Sequence, residues 1–205
     1  MSLGQSSLNL SFLLYLFLYL PQVIHNQKQA SLDGLSIKMH MTLYLAYCLD
    51  LLYGFGAQLP WQYLSVSGIG WLLLTIQHVQ FIQHFKQKNH GAWQFIFYIL
   101  LFTFSILLVY GISQKPFSAE VMLYCGYLAQ IGFVIAFVPQ ILKSQRLKSA
   151  QAISALFILL NFLLAVLDSI SAWQLGWGWP NKLGALLGVL LTTVLMLQYR
   201  IYQKS

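Results

Sequence analysis

Two carboxylates stand alone in long apolar stretches of this chain, Asp50 within LAYCLDLLYG and Asp168 within LLAVLDSISA. An acid at the centre of a bilayer costs about 3 kcal/mol, so such a group is expected to hold a cation, an amino group or a proton. The alternative is packing: a protonated carboxyl hydrogen-bonded to a neighbouring helix. Asn161 precedes Asp168 by seven residues, and that spacing puts both on one helix face. Two Pro-Gln pairs, Pro21-Gln22 and Pro139-Gln140, form a second kind of site. Proline removes a backbone donor and bends a helix, and in lipid the freed carbonyl must find another partner, which makes each pair a candidate hinge. A helix end beside a loop is the other reading, since polar segments follow closely.

The elements that must position these residues are membrane helices. Hydrophobic residues make up 59% of the 205 and charged residues only 7%, where a soluble domain has about a quarter charged. Apolar runs fall at 8–26, 34–57, 60–86, 92–113, 119–142, 151–175 and 179–202, each long enough to cross a bilayer. The first run has no basic start and no small-residue cleavage site, so it reads as a first helix rather than a removed signal.

The net charge of +7 is distributed between these runs instead of on one solvated face, which excludes a nucleic-acid partner. With the amino terminus outside, Lys28, Lys38, Lys86, Lys88, Lys143, Arg146, Lys148, Arg200 and Lys204 fall on one side, against Lys115 and Lys182 on the other. That asymmetry puts the carboxyl terminus in the cytoplasm. Cys48 and Cys125 lie inside apolar runs as small buried hydrophobes. His25, His40, His78, His84 and His90 show no metal-ligand spacing, and interface or packing roles are expected of them. Neither a metal nor a cofactor is expected. Trp61, Trp93, Trp177 and Trp179 sit near run ends as interfacial anchors do.

A shift of 118 residues superposes the chain on itself: Pro21 falls on Pro139, Gln22 on Gln140, Ser31 on Ser149, Ser36 on Ser154, Asp50 on Asp168, Gly70 on Gly188 and Gln80 on Gln198. Three crossings per copy would invert the second copy unless one more helix intervenes, and the run at 92–113 supplies it. The expected fold is all-α: seven transmembrane helices, two parallel three-helix bundles joined by a linker helix, with divisions at 1–90, 91–116 and 117–205. The repeat makes Asp50 and Asp168 equivalent, roughly 21 Å beyond the serines at 36 and 154, so that they face the central axis from opposite sides.

Leu20-Pro21-Gln22 with Ser31 and Gly34-Leu35-Ser36, and Val138-Pro139-Gln140 with Lys148-Ser149 and Ile153-Ser154, resemble the PQ-loop proteins, which include the SWEET and SemiSWEET sugar transporters and cystinosin. The resemblance covers nearly the whole chain and implies alternating access, with the Pro-Gln motifs near the cytoplasmic side. It implies a pocket role for Asn181, which matches a sugar-lining asparagine of SWEET proteins, and for Lys182, which matches a lysine of cystinosin. A snorkelling side chain is the other reading of Lys182. The position that carries cystinosin's proton-coupling aspartate is Asn161 here, leaving Asp168 as a substitute. The SWEET pattern Trp-x-x-Tyr-Gly becomes Asp50-Leu51-Leu52-Tyr53-Gly54, and the first repeat has Tyr63 and Leu64 where the second has Asn181 and Lys182. Carboxylates in place of an aromatic platform favour an amino acid or amino compound over a sugar.

The expected function is therefore a transporter of a small solute, coupled to protons through Asp168 and Asp50, with a sugar uniporter as the alternative. Asp50, Asn161, Asp168, Asn181 and Lys182 are the expected substrate-binding residues, and no enzymatic activity is expected. An intramembrane aspartyl protease is disfavoured because neither aspartate stands in a Tyr-Asp or Gly-x-Gly-Asp setting. A receptor on the same fold is a remote alternative. The bilayer, the solute and protons are the expected partners, with the chain a monomer or homodimer. The compact loops suggest a bacterial inner membrane.

Overall fold

The computed structural model describes residues 2–29, 31–59, 61–113, 119–177 and 179–202. Lys115 and Lys204 of the charge count, the expected boundary at 116/117 and the side chain of Trp179 lie outside what is described.

Nine helices are present among those residues: α1 (Leu3–Tyr15), α2 (Leu20–Lys28), α3 (Ile37–Gly56), α4 (Trp61–Gln87), α5 (Gly91–Ser113), α6 (Ala119–Ile135), α7 (Phe137–Leu147), α8 (Ala155–Gln174) and α9 (Trp179–Tyr202). They make seven passages, because α1–α2 and α6–α7 are each a single run bent once. Six of the passages are long and apolar enough to cross a membrane, and α3 falls outside that set. Its place in the fold explains why. Half of its 20 residues are buried, against α4, α5, α6 and α7, so it presents little surface to lipid and tolerates His40 and Asp50. The linker α5 is the opposite case: Phe95, Ile99, Phe102, Ile106 and Val109 are all exposed, a surface made for hydrocarbon.

Each bend precedes its proline. Pro21 sits in the first turn of α2, and the backbone of residues 14–20 tightens into i, i+3 bonds: Phe17 N–H to Leu14 O (3.1 Å), Leu18 N–H to Tyr15 O (3.2 Å) and Leu20 N–H to Phe17 O (3.2 Å). Phe17 O is the carbonyl that the missing proline N–H would have engaged, so the bend keeps it satisfied away from water. In the second copy the break falls at the buried Ala136, three residues before Pro139.

The two copies are interleaved. The first passage of each packs against the second passage of the other, α1 on α8 and α6 on α3. Gly132 permits the close crossing of α6 and α3, since a Cβ there would lie 2.9 Å from the Cβ of Ala46.

Candidate functional site

The serines of the two motifs start the second helix of each copy. Ser36 caps α3 by accepting from Met39 N–H at 3.2 Å, and Ser154 caps α8 by accepting from Phe157 N–H at 3.4 Å. A tight turn leads into each: Leu35 N–H bonds Leu32 O at 2.9 Å and Ile153 N–H bonds Ala150 O at 3.2 Å. What remains unpaired at each start is the backbone N–H of the serine and a carbonyl of the turn.

Those groups are met by the glutamine of the other copy. Gln22 Oε1 accepts from Ser154 N–H at 2.7 Å while its Nε2 donates to Ala152 O at 3.1 Å. Gln140 Oε1 accepts from Ser36 N–H at 2.7 Å while its Nε2 donates to Gly34 O at 3.2 Å. Both side chains are 1% exposed. Four bonds thus form two equivalent pairs, related by the shift of 118, and they tie the copies together at this end of the molecule. Gly34 and Ala152, themselves equivalent, touch where the copies meet: a Cβ on Gly34 would lie 2.5 Å from that of Ala152. A third equivalence anchors the segment beyond each proline, with Gln80 Nε2 donating to Val23 O at 3.0 Å and Gln198 Nε2 to Ile141 O at 3.1 Å.

Next to this layer lies a plug of rings drawn from four passages. Tyr19 of the first bend contacts Tyr47 of α3 and Phe157 of α8, both at 5.5 Å between centroids. Tyr47 in turn meets Phe133 of α6 edge-on at 4.8 Å.

The aspartates lie at equivalent places on α3 and α8, each fourteen residues beyond its capping serine, but their surroundings differ. Asp50 is 4% exposed and accepts from the hydroxyls of Tyr63 and Ser67, both on α4 of its own copy. Asp168 is half-buried and accepts from the Tyr15 hydroxyl of α1, in the other copy, at 2.5 Å. The two aspartates are therefore equivalent in place along their helices and different in their partners. The reason is substitution: Phe133 stands where Tyr15 would repeat, and Asn181 and Ala185 stand where Tyr63 and Ser67 would.

The remaining candidates do not gather into this cluster. Asn161 turns its amide back onto its own helix, donating to Phe157 O at 2.8 Å. Asn181 is exposed in the first turn of α9. The Lys182 ammonium lies 4.8 Å from the centre of the Trp173 ring. Tyr15, Tyr19, Tyr47, Tyr63 and Ser67 were not marked by spacing, because their partners sit on other helices.

At the edge of this end, Asp33 of the loop before α3 pairs with His84 at 3.0 Å and Lys88 at 3.1 Å. A hydrogen bond from Ser31, then the contacts with Lys88 and His84, hold its carboxyl down to about 2.

The family described as PQ loop repeat matches residues 3–63 and again 121–181, more than half of the chain and in the two halves that the shift relates. No curated protein matches it. Among solved structures, the 3.7 Å structure of a eukaryotic SWEET transporter is similar in fold, with a TM-score of 0.61 over 100% of both chains at 17% identity.

Proposed function

Because this chain belongs to the PQ-loop repeat family, we propose that it moves a small solute across its membrane by alternating access, coupled to protons, with an amino acid or amino compound as the cargo. The observation that carries the reading is the reciprocal glutamine pairing at one end of the two copies. Four hydrogen bonds close that end, and their loss on rocking about Pro21 and Pro139 opens it. The matched solved structure, a transporter of the same fold, supports this.

Asp168 is the coupling group in this scheme, because its bond to Tyr15 crosses between the copies and must break when they separate. Separating an ionised carboxylate from its donor in a dry interface is costly, and taking up a proton removes that cost. Asp50, bonded wholly within its own copy, shares the cavity as a fixed partner for a cationic group. Asn161, Asn181 and Lys182 join the site when the copies move. The chain sits in a bacterial inner membrane with its Pro-Gln end toward the cytoplasm, as monomer or homodimer. A sugar uniporter is the second reading, favoured by the SWEET-like fold.

Proton-linked current in proteoliposomes on adding cystine, lysine, arginine or glucose tests the proposal. A current with an amino acid that Asp168→Asn abolishes supports it; glucose exchange without current returns the chain to the sugar reading.

A further inference from the structure

Three residues beyond each motif glutamine, a second side chain crosses between the copies. Lys143 of α7 donates from Nζ to Leu35 O at 2.6 Å, and His25 of α2 places Nε2 2.8 Å from Gln151 O. The shift of 118 puts the two at the same position, His25 in the first copy and Lys143 in the second. Each loop that leads to a capping serine is thus held twice from the opposite copy, by a glutamine and by a basic side chain.

A carbonyl only accepts, so His25 Nε2 carries a hydrogen toward Gln151 whatever the exposed Gln29 amide, 3.2 Å from the same nitrogen, presents. The neutral ring already makes this bond. What a further proton changes is its strength, because a charged donor holds an oxygen about twice as strongly as a neutral one. Lysine keeps its charge across the physiological range, whereas histidine gains and loses its charge between about pH 5 and pH 8.

We infer that Lys143 and His25 are a second pair of latches on the closed Pro-Gln end, one of constant strength and one that tightens as the pH on that side falls. The inference rests on the proposed opening of that end. Opening returns both side chains to water, so charge on His25 strengthens a bond that only the closed form makes. The closed form therefore binds this proton more tightly than the open form does, and acid shifts the balance toward closure.

His25 stands apart from the other histidines in what its bond joins. His40 and His78 lie 3.0 Å apart inside the first copy, and His84 meets Asp33 within that copy at 3.0 Å, so those contacts survive opening. The His25 ring is also reachable: with Gln29 of α2 and with Ala150, Gln151 and Tyr199 of the second copy it lines an open cavity of about 280 Å³. Of the charges at this end, Lys28 shares α2 with His25 and stays beside it in both forms. Lys148, whose ammonium lies 5.7 Å from the centre of the Tyr202 ring, and Arg200 of α9 are exposed, where salt screens them. Asp33, the acid of this end, is taken by His84 and Lys88.

The test is a pulsed spin-label distance measurement on the full chain in lipid nanodiscs between about pH 8 and pH 5. Labels go on Gln27→Cys and Gln145→Cys, equivalent exposed positions of α2 and α7, with Cys48→Ala and Cys125→Ala removing the native thiols. Expected are a short, closed distance and a long, open one, with the closed-to-open ratio rising about fivefold toward acid pH through His25. His25→Lys, the second copy's own residue, takes out that rise, leaves only what Asp168 contributes, and holds the closed form at every pH. Lys143→His makes the second latch switchable and steepens the response, while His84→Gln leaves it unchanged. Two distances whose pH profile His25→Lys does not alter overturn the latch and spare the proposed opening. A single distance in every chain at every pH overturns both.

Discussion

The Pro-Gln end and the apolar interior treat the 118-residue repeat in opposite ways. At the Pro-Gln end the bonds come in equivalent pairs: Gln22 to Ser154 and Ala152, Gln140 to Ser36 and Gly34, Gln80 to Val23, Gln198 to Ile141. In the interior the same shift turns Tyr15 into Phe133, Tyr63 into Asn181 and the histidine pair into Ile158 and Met196. Closing an interface between two copies is a task both must perform alike. The interior has no such shared bond to make, and each aspartate there is held differently: Asp50 within its own copy and Asp168 across to the other.

The largest test of that contrast concerns the aspartates. Asp168→Asn is expected to lower coupled transport at least tenfold and remove its pH dependence, a loss of about 1.4 kcal/mol or more in the limiting barrier. Asp50→Asn keeps the coupling and lowers thermal stability instead, since its bonds stay within one copy. Equal effects of the two substitutions on the pH profile would erase the distinction.

Symmetry at the other end makes a paired prediction. Gln22→Ala and Gln140→Ala each strand a buried N–H and carbonyl, and each is expected to cost about 3 kcal/mol in thermal or denaturant unfolding in detergent. The two values should agree within about 1 kcal/mol; a large disparity would show that the copies are not equivalent there. Tyr15→Phe copies the second half's own residue into the first and removes a single bond. A cost of about 1 to 2 kcal/mol is expected, with the loss seen in proton coupling as well as in melting.

The smallest effect belongs to Asp33, which is well exposed. Its carboxyl is held down to about 2, so its contribution is constant above the ordinary carboxylate value near 4 and is lost as pH falls from there through 2. Asp33→Asn is expected to cost below about 1 kcal/mol at pH 7 and to flatten the acid limb of a stability–pH curve.

Sequence carried the repeat, the extra helix and the motif serines because each is a local signal: an apolar run, a proline, a serine at a fixed distance beyond it. It also carried the positions of Asp50 and Asp168. What it could not carry were partners on other helices. Tyr15 and Asp168 are 153 residues apart and His40 and His78 are 38 apart, separations at which helical periodicity has nothing to say. The marginal apolarity of α3 has the same root, because burial among four helices, and not lipid, sets what that helix tolerates.

The reciprocal glutamines also bear on how the chain is made. Gln22 waits for Ser154, 132 residues later in the chain, and at about 5 to 20 residues per second that is roughly 7 to 26 seconds of synthesis. Until then the start of α3 lacks Gln140 and the first copy holds an amide with no backbone to meet. Neither half is complete as a folding unit, yet each carries what the other lacks. Two fragments cut in the linker and expressed together should find each other in the membrane, and a first half expressed alone should remain a substrate for quality control.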